Sequence, residues 1–257
     1  MPCRTSTPDS LVRVGDPIDP SLTASTQVSN QITSGSDCTA AFRAAYENRY
    51  TWEPDFGGYQ GRCIWEQAGD AGEDGKRVEG TFVVGADLKA TVAGVADEEI
   101  HKALASQLWE VAIHRVRRSF EQTHGANTFT AGDTDAVGTE VVVGGKNTGD
   151  RYRIQNDVVA MVHRHIHGTV VTIFTTEVLN TGAGYLSHTY TSQYSDPASG
   201  ELRGGRSSFT DTFIPLPGGG PWVLAERRIE TEEATAPEGV SRQTFRFEDL
   251  APLSGAA

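Results

Sequence analysis

Four of the seven histidines lie between His163 and His188, and three of them form the tract His163-Arg-His165-Ile-His167. On a β-strand, residues i and i+2 project from one face about 7 Å apart. His163 and His165 at that spacing can converge on one metal ion. A third imidazole from a neighbouring strand or helix leaves an open position for water or substrate. His163, His165, His167, His188 and His124 are therefore the expected ligand set, with Glu177 able to add a carboxylate. Nitrogen-rich ligation of this kind suits copper, zinc or iron and is poor for calcium or magnesium. The competing reading leaves each imidazole solvated or hydrogen-bonded without a metal. His167-Gly168 also reads as a turn, which would aim His167 away from the other two.

Two further clusters carry titratable groups. Arg118-Ser-Phe-Glu-Gln-Thr-His-Gly125 offers Glu121 and His124 as an acid/base pair. The plainer alternative has Arg118 and Glu121 bridging a helix end. Tyr190 shares a predicted strand face with His188, and Glu121 and Tyr190 are the expected catalytic residues. In the second cluster, Arg43 and Glu47 are helical i, i+4 neighbours. Glu47 and Arg49 could stand at a cavity mouth, or the helix could simply pack through Tyr46, Tyr50 and Trp52. No phosphate-binding loop, dinucleotide fingerprint, nucleophile elbow or HExxH motif is present.

Two helices must position these groups. One starts near Ser36 or Asp37, carries Phe42, Ala45, Tyr46 and Arg49 at helical spacing, and stops before Pro54. The other follows Asp97, with Glu98 and Glu99 at its positive end. Its stripe is Ile100, Leu104, Leu108, Val111 and Ala112, continued by Val116. Nearly everything else alternates with period two between Gly, Asn, Asp and Pro breaks, giving about eleven strands with short connections. Short connections favour antiparallel pairing, because parallel pairing needs crossovers of about a dozen residues. The expected class is β-rich α+β. One large curved antiparallel sheet or incomplete barrel wraps round two helices, since a sheet that long must curl or close.

The chain has 257 residues, and 22 basic against 34 acidic side chains leave a net charge of −12. That balance opposes binding to nucleic acid or to an anionic membrane surface. No apolar run approaches the roughly 18 residues of a membrane span. Residues 1–35 read as a flexible arm, 36–252 as a single β-rich domain and 253–257 as a tail. An alternative has the arm strapping across the domain. Cys3, Cys38 and Cys63 fit neither a disulfide framework nor a CxxC zinc site, and no secretory leader is visible, so the cytoplasm is the expected compartment.

Three strings carry a resemblance: Phe42-Arg-Ala-Ala-Tyr-Glu-Asn-Arg-Tyr-Thr-Trp52, Arg118–Gly125 and Asn180-Thr-Gly-Ala-Gly-Tyr185. Together they resemble the domain of unknown function 3386 family of cyanobacterial and plastid-related proteins, over about Asp37 to Leu250. The strand succession is also similar to the lipoprotein-carrier half-barrels, in which a curved sheet holds an apolar ligand against helices. The resemblance implies a fold and a compartment and brings no reaction with it. It does not extend to the histidines of Val162–Gly168. The leading functional expectation is a His-ligated metal enzyme, an oxidoreductase or a hydrolase/lyase, acting on a small organic molecule. The alternatives are a non-catalytic carrier or sensor of an apolar molecule and a cofactor-free cyclase. A small-molecule ligand is the expected partner, and a homodimer is left open.

Overall fold

The computed structural model describes residues 11–15, 35–69, 75–232 and 239–253. Among them, hydrogen bonds order the strands as β4 (Ala90–Ala93), β3 (Lys76–Gly85), β2 (Gly58–Gln67), β13 (Val240–Pro252), β12 (Trp222–Glu232), β11 (Leu202–Pro215), β10 (Tyr185–Ser195), β9 (Thr169–Asn180), β8 (Val158–Ile166), β7 (Arg151–Gln155), β6 (Gly138–Gly145) and β5 (Asn127–Asp135), with β1 (Leu11–Arg13) added to β9. The β-rich α+β class and the single antiparallel sheet expected from the alternation are present. The described residues form thirteen strands rather than about eleven, and three helices rather than two. The chain divides into two compact units.

The first unit draws on Met1–Tyr50, Ser119–Tyr190 and Tyr194–Glu201. It holds β1 (Leu11–Arg13), α1 (Gly35–Glu47), α3 (Phe120–His124), β5 (Asn127–Asp135), β6 (Gly138–Gly145), β7 (Arg151–Gln155), β8 (Val158–Ile166), β9 (Thr169–Asn180) and most of β10 (Tyr185–Ser195). Cys38, Phe42, Ala45 and Tyr46 recur every three or four residues, so they form one stripe on α1. That stripe packs on Phe129, Val141, Val143, Tyr152 and Ile154. Register fixes the faces. Tyr152 sits opposite Val162, and Val162 opposite Ile173; the next row is Arg151, His163 and Thr172. Because Tyr152 and Val162 pack toward α1, strand alternation turns Arg151, His163 and Thr172 to the other side. Neither β1 nor β5 was expected. β5 is an edge strand whose polar side chains bury only Phe129, so it shows almost no hydrophobic period.

β1 is the described part of the expected arm, and it straps onto the sheet. β8 pairs with β9 only from Met161–Phe174 to Ile166–Thr169. Beyond that point β1 takes the vacated edge, with Leu11, Val12 and Arg13 opposite Leu179, Val178 and Glu177. The Val14 amide donates to the Thr176 carbonyl at 2.9 Å, and Val14 packs on Val158, Val178 and Tyr185.

The second unit draws on Thr51–Arg118, Thr191–Gln193 and Leu202–Ala257. It holds β2 (Gly58–Gln67), β3 (Lys76–Gly85), β4 (Ala90–Ala93), α2 (Glu98–Arg115), β11 (Leu202–Pro215), β12 (Trp222–Glu232) and β13 (Val240–Pro252). α2 forms where expected. The Asp97 carboxylate accepts from the Glu99 and Ile100 amides, and Leu104, Leu108, Val111 and Ala112 are buried. Tyr59, Gly61, Cys63 and Trp65 alternate onto one face of β2, opposite Val84, Phe82, Gly80 and Val78 on β3. Phe247 and Phe245 on β13 continue that face to Arg227 on β12. A Cβ at Gly61 would lie 2.4 Å from the Glu248 carbonyl oxygen and 3.1 Å from the Phe82 ring. Only glycine lets that ring cross the strand, and full burial of a Phe side chain contributes about 2 kcal/mol.

The same face buries one ion pair. Arg227 donates through Nε and Nη2 to the two Asp211 oxygens at 2.7 and 2.6 Å, and through Nη1 to Gln107 Oε1 of α2 at 2.8 Å. Glu110 lies 3.3 Å from Nη1, and the Phe209 ring stands 5.5 Å from the guanidinium. Such a pair is tolerable in a core because its donors and acceptors are matched.

Candidate functional site

In the first unit the three distinctive strings come together. α1 contributes Phe42, Arg43 and Tyr46 to the contact with α3. The Phe42 and Phe120 rings meet edge-on at 5.6 Å. Tyr46 Oη and Thr123 Oγ1 share a hydrogen bond of 2.7 Å, and Arg43 pairs with Glu121. After α1 the backbone runs beside the Asn180–Tyr185 turn. The Tyr50 amide donates to the Tyr185 carbonyl and the Tyr185 amide to the Asn48 carbonyl, both at 2.9 Å. Gly184 has φ +132°, and a Cβ there would lie 2.7 Å from the Asn48 carbonyl oxygen, so the approach needs glycine.

His124 ends α3 at the centre of this junction. The helix is too short to show a period, but Ser119 and Gln122 form a reciprocal capping box that marks its start in the sequence. The imidazole is buried against Phe42 and Tyr46, each with ring centroids at 5.0 Å, and Phe120 at 5.2 Å. Phe129 and Tyr152 close the box. Asn127 Nδ2 lies 3.4 Å from His124 Nδ1, which as the acceptor leaves the ring proton on Nε2. Burial pushes the imidazole down to about 4, the Arg164 and Arg49 charges push the same way, and Asp150 opposes them. His124 is therefore neutral at pH 7. Tyr152 is pushed up to about 12, chiefly by burial.

Two guanidiniums border the box. Arg49 lies flat on the Tyr46 ring, its Cζ 3.8 Å from the centroid, and donates from Nε to the Tyr46 carbonyl at 2.8 Å. Arg164 donates from Nε to Asp150 Oδ2 at 3.3 Å. Asp150 is itself buried, and its Oδ1 accepts from the His165 amide at 2.9 Å. Arg49 was weighed from the sequence as a residue at a cavity mouth. Arg164 was passed over for the histidines on either side of it. Strand alternation alone separates it from them and sets it on the Tyr152 side.

The structure overturns the metal-binding expectation. Among the described residues no three of His, Cys, Asp or Glu are placed to hold a metal ion. His163 and His165 do share a face, with ring centroids 5.8 Å apart. Each has a protein partner instead: His163 Nδ1 and Thr172 Oγ1 at 2.9 Å, His165 Nδ1 and Asp150 Oδ1 at 3.4 Å. Burial, with the nearby His165, lowers the His163 pKa. His167 turns the β8–β9 hairpin at φ +48° and is exposed. His124 sits in the α1 core, on the side of the sheet that faces away from His163. His188 is half-buried on β10. The histidine tract is thus a hydrogen-bonded strand face rather than a ligand shell. Of the expected catalytic pair, Glu121 is exposed and ion-paired to Arg43, while Tyr190 is buried on β10.

The second unit holds a group that sequence reasoning missed. Tyr59 is fully buried, and among the described residues its Oη has no hydrogen-bond partner. Phe82 lies 5.5 Å from its ring, and Trp52 and Phe56 each lie 6.2 Å away. Burial pushes the phenol pKa up. Its only sequence signal was position: it is the first residue of the buried alternation on β2.

Among solved structures, the chain is similar to a domain described as an outer membrane lipoprotein-sorting protein from Vibrio parahaemolyticus. The identity is 7%, with 86% of this chain and 94% of that one covered and a TM-score of 0.34. It is similar to a LolA superfamily protein from Nitrosomonas europaea at 14% identity, 84% and 94% coverage and a TM-score of 0.30. A DUF1329 family protein from Desulfovibrio piger aligns at 9% identity, 85% and 94% coverage and a TM-score of 0.28. At these scores none of the three bears on function. No curated protein matches the chain. The family model described as "Protein of unknown function (DUF3386)" matches residues 33–253, nearly the whole described structure and all three strings, so the chain belongs to the DUF3386 family.

Proposed function

We propose that this protein is a non-catalytic carrier or sensor of an apolar small molecule, held on the aromatic face of the second unit. The observation that carries the reading is the Tyr59 hydroxyl. Buried polar atoms in native proteins are paired in the great majority of cases. Leaving one unpaired costs about 1–3 kcal/mol. Phenylalanine would fill the same space without that cost. A mostly apolar lining with a single uncommitted donor has the composition of a small-molecule site. Tyr59 Oη would donate to one acceptor on an otherwise apolar ligand, with Trp52, Phe56 and Phe82 around it. The cytoplasm remains the proposed compartment, supported by the free, buried thiols of Cys38 and Cys63. Among the described residues no helix is long and apolar enough to cross a membrane.

The test is native mass spectrometry of untagged protein, with titration of N-phenyl-1-naphthylamine followed by its fluorescence. A co-purified apolar ligand or saturable probe binding is expected, and Tyr59→Phe should weaken capture of an acceptor-bearing ligand about 5- to 10-fold. Absence of both ligand and probe binding in the wild type overturns the reading.

A further inference from the structure

We infer that Arg49 and Arg164, on the α1 side of the first unit, form a binding site for the carboxylate of a small organic acid. The ligand proposed for the second unit plays no part in this site.

The argument starts from unspent donors. Arg49 uses Nε on the Tyr46 carbonyl and the face of its guanidinium on the Tyr46 ring. Among the described residues, neither of its Nη groups meets a hydrogen-bond acceptor or a carboxylate. Among the described residues Arg164 uses only Nε, on Asp150. The contrast with Arg227 is direct, since there Nε, Nη1 and Nη2 are all engaged. A guanidinium fork left open beside a protein wall is the usual means of gripping a carboxylate through two parallel hydrogen bonds.

The charges then select the ligand. The groups facing the site are Arg49, Arg164 and Asp150, with His124 neutral in its box. Two positive charges stand against one negative, so one further negative charge balances the site. Asp150 cannot supply it, because its Oδ1 is taken by the His165 amide and its Oδ2 by Arg164. Register makes the site continuous. Asp150 lies just before the Arg151–His163 pair and Arg164 just after it, so Arg164 and Tyr152 are diagonal neighbours on one face. From Tyr152 the Phe42 ring is 4.6 Å away and the His124 ring 6.1 Å, and His124 touches Tyr46 beneath Arg49. Both guanidiniums are near enough to His124 and Tyr152 to act on their titration. A phosphate monoester, at about −1.5 to −2 at pH 7, overshoots the balance.

The test is calorimetric titration of the full chain with benzoate, and with benzamide as its neutral counterpart. Far-UV circular dichroism monitors the fold of each variant. Benzoate is expected to bind at least about 10-fold more tightly than benzamide. Arg49→Gln and Arg164→Gln should each weaken benzoate about 5-fold or more. Arg49→Lys, which keeps the charge and loses the fork, should fall between wild type and Arg49→Gln. Equal binding of benzoate and benzamide, unchanged benzoate affinity in both glutamine variants, or no benzoate binding at tens of millimolar overturns the site.

Discussion

The two helix-bearing faces handle buried polarity in opposite ways. In the second unit, Arg227 is sealed among Asp211, Gln107 and Glu110, with its donors engaged. The first unit keeps His124 neutral inside five aromatic rings. Its guanidiniums, Arg49 and Arg164, stay at the border with donors unspent. A satisfied cation holds a fold together, whereas an unsatisfied one has capacity for a ligand. By the same criterion, the Tyr59 hydroxyl, which has no hydrogen-bond partner among the described residues, departs from that matching within the second unit.

Breaking the sealed pair is the severest test of that contrast. Arg227→Met strands a buried Asp211 carboxylate and should cost about 3–5 kcal/mol in urea unfolding, with Asp211→Leu added in the same chain recovering most of it. A loss under about 1 kcal/mol would mean that water reaches the pair.

His124 gives the next largest effect, and its sign is set by protonation. The folded-state value of about 4 lies below the ordinary 6.5, so the unfolded chain takes up the proton first as pH falls. The neutral box therefore contributes its full stability above about pH 6.5. About 3 kcal/mol is lost by pH 4, where acidification reaches the folded-state pKa. Unfolding free energies at pH 7 and pH 4 measure this, and His124→Phe should flatten the difference.

Tyr59→Phe should act in the opposite direction to most core substitutions. Removing the unpaired hydroxyl should raise stability by about 1 kcal/mol while weakening ligand capture. A destabilised variant would show that Oη has a partner, such as a buried water.

The smallest effect belongs to the strap. Arg13 and Glu177 lie 3.4 Å apart with Arg13 mostly exposed, so Glu177→Gln should change stability by less than about 0.5 kcal/mol. Salt-independent unfolding of both forms would be consistent with that.

Much of this fold is readable along the chain. Asp97 followed by an apolar stripe specifies α2, and period-two alternation finds eleven strands. What escapes is whatever lacks a local period: α3 is one turn long, β5 buries one ring, and β1 is three exposed residues. The site is less legible for a related reason. His163 and His165 were expected to meet a third imidazole, and they do lie side by side. Yet His124 belongs to the opposite face, and only tertiary packing decides that. Arg164 illustrates the same limit, because its place near the His124 box depends on α1 docking across β7 and β8. The convergence of the three strings was not predictable from any of them alone, although each contains a residue whose type the junction demands, Gly184 most plainly.

The parting of β8 from β9 leaves a run of backbone from Thr176 to Leu179 that, among the described residues, β1 covers on that side. An uncovered strand edge is a template for the edge of another molecule. Removing the three residues of β1 should therefore open this edge to a second copy of the chain. A chain cut after Val14 should show this as concentration-dependent light scattering, while its individual units remain folded.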